Sequence, residues 1–168
     1  MAMRRKLRPF HSLLVLVAAQ ALALWGCATT SAVKARKAQD ENTAAYQYDL
    51  ASVSYNYGLE DEAVRYLEQA LALDPDHHPS LFLLSTLRLK RGEYPAAEAG
   101  FLKCLALKPE DAEAHTRLGM VYRQTGAQEK AEGEFLKAWS LEPSTTAALN
   151  LAQHFFDLDR LDKALEYT

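Results

Sequence analysis

The sequence predicts an all-α chain, an array of stacked helix pairs behind a short leading segment of different character. Three observations predict it. First, residues recur every 34 positions: Pro75, Pro109 and Pro143; Gly58, Gly92 and Gly126; Ala63, Ala97 and Ala131; Leu67, Phe101 and Phe135. A period of that length is the signature of a repeat architecture, in which each unit buries its apolar face on its neighbours. Second, apolar residues inside each half-unit recur at three and four, the spacing of an amphipathic helix. Third, the glycines and prolines fall between those stretches, where glycine accommodates positive φ and proline ends a hydrogen-bond ladder.

Of 168 residues, 24% are charged and 49% apolar, an ordinary globular balance. The net charge of −3 conceals a split: residues 1–26 hold Arg4, Arg5, Lys6 and Arg8 and no acid, which leaves −7 on the remainder. An acidic body lacks the surplus Lys and Arg that nucleic-acid phosphates require. Two cysteines cannot staple a small secreted domain.

The leading segment, residues 1–26, has the parts of an export signal: the basic cluster, then Leu13 to Trp25, apolar except for Gln20. As a helix that stretch spans about 20 Å, too short for a hydrocarbon core of roughly 30 Å. It ends Leu24-Trp25-Gly26-Cys27, which resembles the bacterial lipobox, although Trp25 departs from the small or β-branched residue usual there. The resemblance implies cleavage before Cys27, fatty acylation of that cysteine (palmitate among the chains) and an outer-membrane lipoprotein facing the periplasm, since Ala28 is not the aspartate that retains such proteins in the inner membrane. A plain secretory peptide or an uncleaved anchor is the alternative. Residues 27–43 then read as the lipidated N-terminus and a small, polar tether.

Beyond the tether the array reads as residues 44–168, in units of about 44–77, 78–111, 112–144 and an incomplete 145–168. Helices are expected near 40–57 and 60–73, 78–91 and 94–107, 112–125 and 128–141, 145–158, and from 161 onward. The fourth unit arrives one residue early, a loss placed in the turn near Ser144. Leu118, Gly119, Tyr122, Gly126, Ala131, Phe135, Ala138 and Pro143 give the full pattern in the third unit. Those residues resemble the tetratricopeptide repeat (TPR), which implies a right-handed superhelical solenoid. Ser54 and Arg88 depart from the pattern where the third unit has Tyr122. Small residues at Ala51, Ser85, Gly119 and Ala152 should let paired helices approach, and Leu67, Phe101 and Phe135 should fill between units. The last helix has no polar cap within the sequence, which reads as a fragment of a longer protein.

No catalytic constellation appears, and neither enzyme activity, a metal site nor a cofactor other than the lipid on Cys27 is expected. His77 and His78 read as a surface turn, His115 and His154 as lacking carboxylate or cysteine companions at ligand spacing, and Cys104 as a small buried hydrophobe. Glu60-Asp61-Glu62 and Glu110-Asp111 read as helix-start carboxylates that complement the helix dipole.

In TPR proteins the first helices of successive units line a concave groove. The residues placed on that face are Tyr48, Ser52 and Tyr55; Phe82, Thr86 and Leu89; Thr116, Met120 and Arg123; and Leu149, Gln153 and Phe156. This row suits an amphipathic helix or an extended apolar peptide; half-buried core and a groove covered by residues 28–43 are the bland alternatives. The Lys and Asn of the carboxylate-gripping TPR branch are absent, with Tyr48 and Ser52 in their places. The expected role is therefore a protein-binding scaffold on the outer membrane, without a small-molecule substrate. Its architecture is similar to the type IV pilus biogenesis lipoproteins that assist secretin assembly; the alternatives are an adaptor for peptidoglycan hydrolases or synthases, or an enzyme whose catalytic domain lies beyond Thr168.

Overall fold

The computed structural model describes residues 42–167. Cys27, the export-type segment and the tether up to residue 41 lie outside the described residues. Within them the chain is helical throughout: α1 (Ala44–Asn56), α2 (Glu60–Leu73), α3 (His78–Lys90), α4 (Tyr94–Leu107), α5 (Ala112–Gln124), α6 (Gln128–Leu141), α7 (Thr145–Asp157) and α8 (Leu161–Leu165). Each odd helix packs on the even helix that follows, and each even helix packs on the next odd one. This is a solenoid of helix-turn-helix units.

Capping explains the boundaries. Helix α1 begins at Ala44 rather than near residue 40 because Thr43 is extended and its hydroxyl oxygen accepts the amide of Tyr46 at 3.2 Å. Asp111 caps α5 in the same way through Ala114, and Ser144 caps α7 through Ala147. The odd helices all end in one motif. Leu59, Glu93, Ala127 and Arg160 donate back to the carbonyls of Ser54, Arg88, Tyr122 and Phe155, across a residue with positive φ. That residue is Gly58 (76°), Gly92 (74°) or Gly126 (80°), and in the fourth unit Asp159 (57°). The even helices end where Asp74, Lys108 and Glu142 turn extended ahead of Pro75, Pro109 and Pro143, since the proline ring clashes with an α conformation before it.

Leu67, Phe101 and Phe135 are essentially inaccessible to solvent. Phe101, Leu118, Val121, Phe135, Leu151 and Phe155 form one core running through units two to four, and Ala51, Leu67, Leu84 and Leu87 join units one and two. Gly119 allows a close approach of paired helices: a Cβ there would stand 2.7 Å from Cε1 of Phe135. Cys104 is buried and free, and burial pushes its thiol up to about 11, so it behaves as a small hydrophobe.

A candidate groove on the first helices

The odd helices form the candidate groove face, since each touches the next odd helix directly, α1 with α3, α3 with α5 and α5 with α7. The side chains expected on that face divide by depth. Tyr48 and Tyr55 are half-buried against the core of units one and two, and Leu89 and Met120 against the larger core. Phe82 is half-buried too, edge-on to Phe101 with ring centres 5.8 Å apart. These side chains serve core and surface at once, so the groove wall is less exposed than a row of free anchors. Ser52 is half-buried beside them. Leu149 (61%) and Phe156 (62%) stand well out into solvent.

The polar members are largely engaged. Thr86 donates to the carbonyl of Phe82 and Thr116 to that of Ala112, both at 2.9 Å, and Thr116 is buried. Gln153 donates to Asp157 at 2.7 Å. Arg123 lies 3.9 Å from the same carboxylate, with its guanidinium 6.0 Å from the centre of the Phe135 ring. The hydroxyls of Thr86 and Thr116 and the amide of Gln153 therefore offer a ligand little hydrogen bonding, whereas Nη1 of Arg123 has no hydrogen-bond partner among the described residues.

Between units three and four the groove deepens to a concavity of about 380 Å³, walled by Thr116, Arg117 and Met120 on one side and Thr146, Ala147 and Asn150 on the other. Arg117 is held by Glu113 at 3.2 Å. Glu113, Arg117, Thr146 and Asn150 went unnoticed in the sequence. A step of three back from Thr116 and Met120, and from Leu149 and Gln153, reaches all of them.

The histidines and acids behave differently from their sequence reading. His78 is no free turn residue: it opens α3 with its Nε2 3.2 Å from Asp111, and burial, aided by Lys108 and His77, pulls its pKa below the usual value against that carboxylate. His115 does have a carboxylate companion, Glu134 at 2.6 Å, and it bonds the carbonyl of Pro109 at 3.0 Å. The acids at helix starts also tie units together. Glu60 pairs with Lys90 and Asp61 with Arg91, while Arg160 reaches Glu132 at 2.7 Å. Tyr122 is pushed up to about 12 by burial and by its hydrogen bond to Glu98. Among the described residues no three His, Cys, Asp or Glu side chains come together as a metal site, and no helix is long and apolar enough to cross a membrane.

Paired helices in 34-residue register, closed by glycine turns and proline stops, define a tetratricopeptide-type protein-interaction scaffold, a class that is typically non-catalytic. More specifically, residues 18–142 match the profile described as the cilia and flagella-associated protein 70 middle TPR-like domain, and the chain belongs to that family. Among solved structures it is similar to a MamA crystal structure at 24% identity and a TM-score of 0.70, over 80% of this chain and 79% of that one. It is likewise similar to MamA (residue 41 to the end) from Desulfovibrio magneticus RS-1, at 25% identity and a TM-score of 0.71, over 76% and 73%. A search of curated protein sequences finds no match.

Proposed function

We propose that this protein is a membrane-anchored docking scaffold whose first-helix groove holds an apolar segment of a partner protein. The observation that carries the reading is the run of apolar side chains along α1, α3, α5 and α7, from Tyr48 through Phe82 and Met120 to the exposed Leu149 and Phe156. Contiguous apolar surface of this kind marks interaction sites, and large side chains in shallow depressions serve as anchors. The engaged Thr86, Thr116 and Gln153 favour a helix or strand read by its apolar face.

The anchor in this proposal is a lipid on Cys27, which supports an outer-membrane lipoprotein with its repeats in the periplasm. Each buried methylene of an acyl chain contributes about 0.8 kcal/mol, so several chains would hold the protein permanently. The partner we propose is a segment of an envelope complex under assembly, a type IV pilus secretin first. That choice rests on the pairing of a Gly26-Cys27 export end with TPR units.

Two measurements test the proposal. Cys27→Ser should leave helicity unchanged and shift the protein from the membrane to the soluble fraction; a variant that stays on membranes contradicts the lipid anchor. A photo-crosslinking residue at Phe156 in the full-length protein, in intact cells, should yield a secretin adduct. A peptidoglycan hydrolase or synthase there would move the role to cell-wall scaffolding, and adducts within the chain alone would overturn groove docking.

A further inference from the structure

One seam of the solenoid is built differently from the others. The residue three places after the central leucine of α3, α5 and α7 points into the preceding unit: Leu87, Val121 and His154 respectively, all three wholly shielded from solvent. Two seams are closed by an aliphatic side chain and the last by an imidazole. Its ring lies against Phe135 of α6 (5.6 Å between centres) and Phe155 of its own helix (5.7 Å). Among the described residues neither ring nitrogen has a hydrogen-bond partner. A buried imidazole without partners is tolerated as the neutral ring and strongly opposed as the cation.

The charged groups around it do not rescue the cation. Arg123 faces it from α5, Glu132 from α6, Asp157 from α7 itself and Arg160 from the turn that follows. The two carboxylates are already committed: Glu132 to Arg160 at 2.7 Å and Lys163 at 3.7 Å, and Asp157 to Arg123 at 3.9 Å. Burial is the largest influence on the ring and, with Arg123 and Arg160, pulls its pKa below the ordinary 6.5 against the pull of Glu132 and Asp157. His78, at the seam between units two and three, differs in having the Asp111 carboxylate 3.2 Å from its Nε2, a counter-charge close to the ring.

We propose that the joint between units three and four is an acid-release catch, in which protonation of His154 frees α7 and α8 from α6. The sign follows from linkage. The docked state holds a neutral ring and the undocked state an ordinary one, so docking is at full strength above about 6.5 and weakens as pH falls toward the depressed docked value. Because α7 carries Leu149, Gln153 and Phe156 and walls the concavity with Thr146 and Asn150, release would open the groove at that end. The catch itself stands on the seam; its effect on a bound partner rests on the groove reading above.

Hydrogen exchange of the full chain, resolved by peptide and corrected for the intrinsic pH dependence of exchange, tests the catch. From about pH 7.5 to about pH 5.5, protection of residues 145–165 should fall by up to about tenfold per pH unit through the window, while α1 and α2, which hold no histidine, keep theirs. His154→Leu, the residue of the α3 seam, should abolish that loss. His154→Val, the residue of the α5 seam, serves should the leucine variant misfold. Protection of α7 that is independent of pH, or that falls equally in the folded variants, overturns the proposal. Partner binding at the two pH values separates the two ideas. Acid release of α7 with binding unchanged would keep the catch and remove unit four from the groove.

Discussion

Three glycines within helices illustrate how much one methyl group can mean. At Gly133 on α6 a Cβ would meet nothing within 4 Å, so Gly133→Ala should gain the helix propensity of alanine, about 1 kcal/mol. At Gly119 the same methyl would sit 2.7 Å from the Phe135 ring, which is itself wedged in the core. There overpacking, typically 1–3 kcal/mol, should outweigh propensity, and Gly119→Ala should lower stability. At Gly100 the obstacle is Oγ of Ser85 at 1.9 Å, a hydroxyl that donates to the Leu81 carbonyl at 2.7 Å. Gly100→Ala should destabilise, and adding Ser85→Ala should recover most of the loss. Urea unfolding of the single and double variants checks the whole set, and additive effects at residues 85 and 100 would contradict the contact. Gly119 was legible in the sequence as one of four small residues in register. Gly100 was not, because its counterparts one unit away are Tyr66 and Glu134 and its smallness answers only the neighbouring serine.

The helices follow their local rules closely enough that the period gave nearly all of them, with α1 shortened at its start by the Thr43 cap. The fourth turn is the informative departure. Asp159 stands at positive φ (57°) where the other three turns have glycine. Asp159→Gly should relieve a left-handed penalty of about 1 kcal/mol or less and raise the melting temperature slightly. The stacking position on each odd helix makes a second test. Val121 is fully buried, while Val53, its counterpart on α1, is 53% exposed. Val121→Asp should abolish cooperative unfolding, through a buried unpaired charge, whereas Val53→Asp should change stability by less than about 0.5 kcal/mol. Equal losses would mean that α1 is covered on that face. The ion pairs between units, such as Asp61 with Arg91 at 2.7 Å, lay beyond sequence reading. Partners 30 residues apart on different helices leave no local pattern, and the acids look like ordinary helix-start carboxylates.

For the described array as a whole, the repeat register places one helix of every unit beside its counterpart in the next, so side chains far apart in sequence share one surface. That surface could be listed from the period together with what the resemblance to tetratricopeptide repeats implies about the first helices. Its depth could not, because whether Phe82 or Met120 is half-sunk depends on how the neighbouring unit packs. The same holds for His154, whose isolation arises from two phenylalanines on α6 and α7 rather than from any motif. The central claim is that partners dock on the first helices and not on the second. Two photo-crosslinking positions, compared in the full-length protein in cells, test it most directly: Phe156 on α7 and Leu102 on α4, both accessible to solvent. Docking in the groove predicts strong adducts with an envelope protein from Phe156 and few from Leu102. Equal or stronger capture from Leu102 would contradict it.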